Sequence, residues 1–193
     1  GSHAAYYSLS TLHWRDHGLG SGAASVLWAE GILAEIVLFA LLRQGLRRWR
    51  PTTWLLLGAA GACVRWCTIA STTSLPVLLA INWLHAVSFG CTFVGSLQFI
   101  LLRVAADRQA TAQGLLGAAS SGLCTALATR LAGVLYERSP SWSFFAMAAL
   151  AAIGALAVWW LRRRPLIAVV GSGAQQPDQG QREHDGDPER GQR

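Results

Sequence analysis

The sequence predicts an all-α fold: a polytopic membrane bundle of about six transmembrane helices. Three observations predict it. Of its residues, 52% are hydrophobic and only 13% charged, with a mean hydropathy of +0.34, whereas soluble domains carry about 25% charged residues. Apolar runs recur between short polar breaks, and most reach the roughly 20 residues that a bilayer core requires at about 1.5 Å rise per residue. The third observation is where the charge lies: all 16 basic residues are arginine, and most gather at alternate breaks, as the positive-inside rule expects. A formal charge of +6 whose arginines gather mostly at breaks and ends is no nucleic-acid face, and none is expected.

The first element, Ala4-Ala5-Tyr6-Tyr7-Ser8-Leu9-Ser10-Thr11-Leu12, reads as a helix already under way. Gly1-Ser2-His3 before it has the look of a cleaved-tag scar, yet the helical pattern runs smoothly through it. At about a dozen residues it is too short to span, so the chain is expected to start inside a transmembrane helix and to be a fragment. A polar, glycine-rich turn follows at residues 15–22. The second span covers residues 23–42, and a basic loop with Arg43, Arg47, Arg48 and Arg50 ends at Pro51. The third covers residues 52–70, and a Ser71-Thr72-Thr73-Ser74 turn leads to the fourth at residues 75–102, with Pro76 in its first turn. After the basic break holding Arg103 and Arg108 comes the fifth span, residues 110–135, and the sixth covers residues 142–161 before Arg162, Arg163 and Arg164. Nine arginines on one side face two, Arg15 and Arg138, on the other. This places the loops after spans two and four, and the C-terminus, in the cytoplasm. Residues 1–165 form the membrane unit. Residues 166–193 form a disordered cytoplasmic tail, Gln-, Gly-, Asp- and Arg-rich from residue 171, with His184 solvated.

Small residues recur at Gly58, Gly61 and Ala62 and again at Gly114, Ala118 and Gly122, spacings that let helices approach closely. Cys63, Cys67, Cys91 and Cys124 lie in apolar runs without ligand or redox spacing and are expected to be small buried fillers. Trp14, Trp49, Trp54, Trp142, Trp159 and Trp160 lie near helix ends, as interfacial anchors do. No metal or other cofactor is expected.

Buried charge singles out one constellation: Glu30 and Glu35 in span two, Arg65 in span three and His85 in span four. Their depths let them meet in the outer half of the bundle or near its midplane. The two acids, five positions apart, differ by about 140° around a helix and so point at different places. Such groups either pin helices together or mark substrate and proton pathways. His85, Glu35 and Glu30 are the candidate proton carriers, because imidazole and desolvated carboxylates can titrate near neutral pH. Arg65 keeps its charge and suits a carboxylate, and Trp66, Tyr6 and Tyr7 offer aromatic surface for an aryl acid. Arg130 is close enough to Tyr136 to snorkel outward.

Gly1-Ser2-His3-Ala4-Ala5-Tyr6-Tyr7, Leu27-Trp28, Ala34-Glu35-Ile36, Arg65-Trp66, Leu84-His85 with Phe89, Ala112-Gln113-Gly114 and Ala132-Gly133-Val134-Leu135-Tyr136 together resemble the C-terminal half of a bacterial major facilitator transporter. The likeness, over residues 1 to about 165, is to the 3-phenylpropionate transporter family, related to lactose permease. It implies helices seven to twelve of a twelve-helix fold, with an N-terminal six-helix half missing. It also implies that Glu35, Arg65 and His85 occupy positions used in lactose permease for sugar recognition and proton coupling, which favours Glu35 over Glu30. The chain departs from its relatives at Ser88, where lactose permease has a proton-carrying acid, and at Phe93, where the phenylpropionate relatives have a second histidine.

The expected function is secondary transport in the bacterial inner membrane: proton-coupled uptake of a small aromatic carboxylate such as 3-phenylpropionate. A lactose-like sugar or nucleoside symporter is the alternative, and a non-transporting membrane scaffold a remoter one. An enzyme using His85 and Glu35 as acid and base is disfavoured, since no nucleophile or metal-ligand motif accompanies them.

Overall fold

Apolar runs in lipid have one way to satisfy every backbone N–H and C=O internally, which is to be helical. The computed structural model describes residues 1–42 and 49–163, and among them it contains helices and no strand. The helices are α1 (Ala4–Asp16), α2 (Ser21–Leu42), α3 (Pro51–Ser71), α4 (Leu75–Arg103), α5 (Ala106–Arg138) and α6 (Pro140–Arg163). The last five are long and apolar enough to cross a membrane, while α1, with 13 residues, is shorter than a span. Arg43, Arg47, Arg48 and Arg164, the tail 166–193 with His184, and the boundary at residue 165 lie outside the described residues.

Local sequence accounts for the helix ends. Pro51 and Pro76 sit in the first turns of α3 and α4, and Pro140 opens α6, where a missing N–H costs no helix hydrogen bond. α1 stops at Gly18, whose φ of +83° reverses the chain so that the Leu19 N–H reaches the Trp14 carbonyl at 2.9 Å. Two interruptions were not legible beforehand. α4 is α-helical over Leu75–Asn82 and Thr92–Arg103 but π-helical over Ala86–Cys91, and α5 is π-helical over Ala118–Cys124. Such wider turns cluster at functional sites because they re-aim the side chains beside them.

α3 is the hub, packing along α6 on one side and α4 on the other, while α1 rests on α5 and α6 and α2 on the middle of α4. The α3–α4 seam is built on glycine. A Cβ at Gly58 would lie 2.3 Å from Thr92 Oγ1 and 3.0 Å from its backbone nitrogen, and one at Gly95 would lie 2.9 Å from the Pro51 carbonyl. The first small-residue cluster therefore packs as expected. The second does not: Gly114 and Gly122 have nothing within 4 Å of a built Cβ, and Ala118 is exposed. Gly58→Ala should destabilise the protein by about 1–3 kcal/mol through overpacking. Gly114→Ala should leave thermal unfolding in detergent unchanged, and equal midpoints for the two variants would contradict the seam.

The interior is made of small and aromatic residues, among them Ala5, Tyr6, Trp14, Ala62, Trp66, Phe144 and Met147. Large aliphatics such as Ile32, Leu33, Ile36, Leu101, Leu102 and Ile153 face outward, the arrangement suited to a lipid exterior. Two sequence expectations need correction. Trp14 and Trp54 are buried rather than interfacial, because Trp14 packs on Tyr6 and Trp28 inside the bundle and Trp54 joins Cys91 and Val94. Cys91 is a buried filler and Cys63 half-buried, but Cys67 and Cys124 are exposed.

Candidate functional site

Arg65, on the face of α3 turned toward α1 and α4, is 0% exposed. A guanidinium so deep must be hydrogen-bonded, and it has donors only. NH1 donates to His85 Nδ1 at 2.8 Å and NH2 to Asn82 Oδ1 at 2.7 Å. It lies against two neighbouring aromatic rings, 4.0 Å from the Tyr6 centroid and 4.6 Å from that of Trp66, so cation–π attraction supplements the two bonds. Nε has no partner.

This contact decides the form of His85. Because arginine cannot accept a hydrogen bond, Nδ1 is the acceptor and the neutral ring carries its proton on Nε2. Nε2 then donates to Glu35 Oε1 at 2.7 Å. Glu35 is the partly open end of the chain of contacts, its side chain 22% exposed. Gly31, one turn before Glu35 on α2, brings that helix close: a Cβ there would sit 3.3 Å from His85 Cδ2.

Asn82, one turn before His85 on α4, holds the other side of the guanidinium. Its Oδ1 also accepts from the Tyr6 hydroxyl at 3.2 Å, and its Nδ2 donates to the Leu27 carbonyl of α2. Glu30 lies within hydrogen-bond reach of the Trp83 and Asn82 side chains, with its buried Oε2 left unpartnered. The acids thus meet α4 at two places one turn apart, Glu35 at His85 and Glu30 at Asn82 and Trp83. The angular offset read from the sequence requires this separation.

A family model described as the MFS_1 like family matches residues 1–147. The chain belongs to that family. It is 32% identical over 151 residues to the probable 3-phenylpropionic acid transporter of Escherichia coli (strain K12), a match covering 78% of this chain and 40% of that relative. It therefore spans well under half the length of the curated relative it matches. No solved structure matches. Membership of this transporter family and the apolar helices make it a membrane protein.

The remaining candidate residues of this major facilitator chain group around the same centre. Trp66 and Tyr6, both against Arg65, are buried, whereas Tyr7 is exposed. Tyr7 stacks on Trp28 with centroids 6.1 Å apart. Sequence reasoning missed three residues. Asn82 carries no charge and so gave no signal. Trp28, quoted only within the family likeness, packs on Tyr6 at 4.7 Å. His3, set among residues that look like a tag scar, puts its ring 5.8 Å from that of His85, and its Nε2 lies 3.2 Å from Ser88 Oγ. The His3–Tyr7 spacing of one helical turn was the available signal. Ser88, where the likeness to lactose permease would place an acid, is buried and donates to the His85 carbonyl. Phe93 lies away from Arg65, stacked on Phe89 at 6.2 Å. Beside His3 opens a cavity of about 520 Å³ walled by Tyr7, Phe89 and Phe93 and by the hydroxyls of Ser88, Thr92 and Ser96.

Proposed function

We propose that this chain is part of a secondary active transporter, not an enzyme, that takes up a small aromatic carboxylate such as 3-phenylpropionate together with a proton. The observation that carries this reading is the buried Arg65 guanidinium, linked through His85 to the part-exposed carboxylate of Glu35. One buried positive charge balances one carboxylate at a time. Without substrate that carboxylate is ionised Glu35. When a substrate carboxylate takes its place near His85, Glu35 must be neutral, since two carboxylates beside one cation repel and are poorly solvated. Anion and proton therefore bind together, which is the thermodynamic content of symport. The aromatic wall of Tyr7, Phe89 and Phe93 suits the aryl group, and the name of the Escherichia coli relative points to the same substrate class. Glu30 is the reserve proton carrier. The other six-helix half implied by the family likeness would close the site from its open side.

The hydroxyl row Ser88, Thr92 and Ser96 along the cavity favours a second reading, a neutral sugar or nucleoside. Uptake of labelled 3-phenylpropionate, lactose and a nucleoside by cells expressing the protein, with and without an uncoupler, tests both. Uncoupler-sensitive accumulation of the aryl acid is expected, and accumulation of the sugar alone would transfer the assignment.

The proposal includes an inner-membrane location with a cytoplasmic C-terminus. Reporter fusions after Arg103 should read cytoplasm and fusions at His17 and Ser139 the outside. A cytoplasmic signal at His17 would reverse the orientation drawn from the arginine distribution.

A further inference from the structure

We propose that Asn82 is a positioning residue: by holding one arm of Arg65, it aims the other at His85 Nδ1. This keeps His85 as the neutral Nε2–H tautomer and leaves Glu35 as the place where a coupled proton lands. Asn82 is 2% exposed and touches three other helices at once. Its Oδ1 receives Arg65 of α3 and Tyr6 of α1, and its Nδ2 is committed to the Leu27 carbonyl of α2. That carbonyl only accepts and the guanidinium only donates, so the amide has one satisfied orientation. With NH2 anchored there, the planar guanidinium has its rotation settled, and NH1 points at His85 at 2.8 Å.

The consequence for proton chemistry follows from lone pairs. Imidazole takes up a proton at its unprotonated nitrogen, and here that is Nδ1, occupied by an arginine N–H. Protonating His85 would break that bond and set two cations side by side. Glu35, receiving the Nε2 proton as a hydrogen bond, can still gain its own. An uncharged amide does this positioning without adding a counter-ion, so the Arg65 charge stays available to Glu35 or to a substrate anion. The titratable and charged groups around the ring are His3 just before α1, Tyr6 and Tyr7 on α1, Glu35 on α2 and Arg65 on α3, while Glu30 of α2 meets α4 at Asn82 and Trp83.

The inference rests on the transporter reading for its consequence, but its test does not. The whole protein containing this chain, labelled with ¹⁵N at histidine and held in lipid nanodiscs, gives the protonation of each His85 nitrogen directly, with resonances assigned by loss in His85→Gln. Wild type should show a protonated Nε2 and a hydrogen-bonded, unprotonated Nδ1 at about neutral pH. Asn82→Leu should give mixed tautomers. It should also lower uphill uptake about 10-fold or more and change its pH profile, as loss of a bond to a charged group implies. Asn82→Asp retains the Oδ1 acceptor for Arg65 and, protonated on its second oxygen, can still donate to the Leu27 carbonyl, so it should keep the single tautomer; where it ionises, its charge competes for Arg65 and raises the substrate KM. A wild-type ¹⁵N pattern in Asn82→Leu would overturn the proposal whether or not the protein transports anything. If Asn82→Leu does not fold, mixed tautomers in Asn82→Asp would overturn it equally. A confirmed tautomer pattern in a protein that moves no aryl acid would leave the positioning role standing and refute the function proposed above.

Discussion

Glu35→Gln should abolish uphill accumulation while leaving exchange of substrate across the membrane within about 10-fold of wild type. The amide keeps an oxygen to accept the His85 Nε2 proton, a bond of 2.7 Å in the wild type, so the geometry survives. What disappears is the negative charge and the site that takes up a proton. A glutamine imitates the protonated acid permanently: the carrier can bind an anion and reorient, but it no longer releases a proton with it. Counterflow in preloaded vesicles measures exchange, and accumulation driven by an imposed pH gradient measures uphill transport. Wild-type accumulation in the variant would remove Glu35 from the proton role and direct attention to Glu30, whose buried Oε2 is unpartnered.

Arg65→Lys should raise the KM for an aryl acid about 10–100-fold while altering the amount of protein in the membrane much less. The charge is kept, but a single ammonium does not reproduce a planar fork that bonds His85 Nδ1 and Asn82 Oδ1 together. At least one buried acceptor loses its partner, at a cost of about 1–3 kcal/mol. Uptake kinetics normalised to membrane protein level measure it. A KM within about twofold of wild type would mean that Arg65 acts as a point charge and that its fork is irrelevant.

Much of this protein was determined by its sequence alone. Length of apolar run set the five full spans, from α2 (Ser21–Leu42) to α6 (Pro140–Arg163), to within a few residues, because in lipid a backbone has no alternative to the helix. Buried charge is expensive there, so Glu35, Arg65 and His85 announced themselves on adjacent helices. The neutral members of the same network were invisible in one dimension. Asn82 looks like any polar residue in an apolar run, and His3 sits among residues that look like a tag scar. What makes them part of the centre is the crossing of α1, α2, α3 and α4, together with a wider turn beginning at Ala86 that no local pattern announced. The same distinction separates the two small-residue clusters, which both contain a four-residue step: Gly58 meets Thr92 of α4 while Gly114 meets nothing within 4 Å. Spacing says that a helix can be approached closely, and only the arrangement of the neighbouring helices says whether one comes.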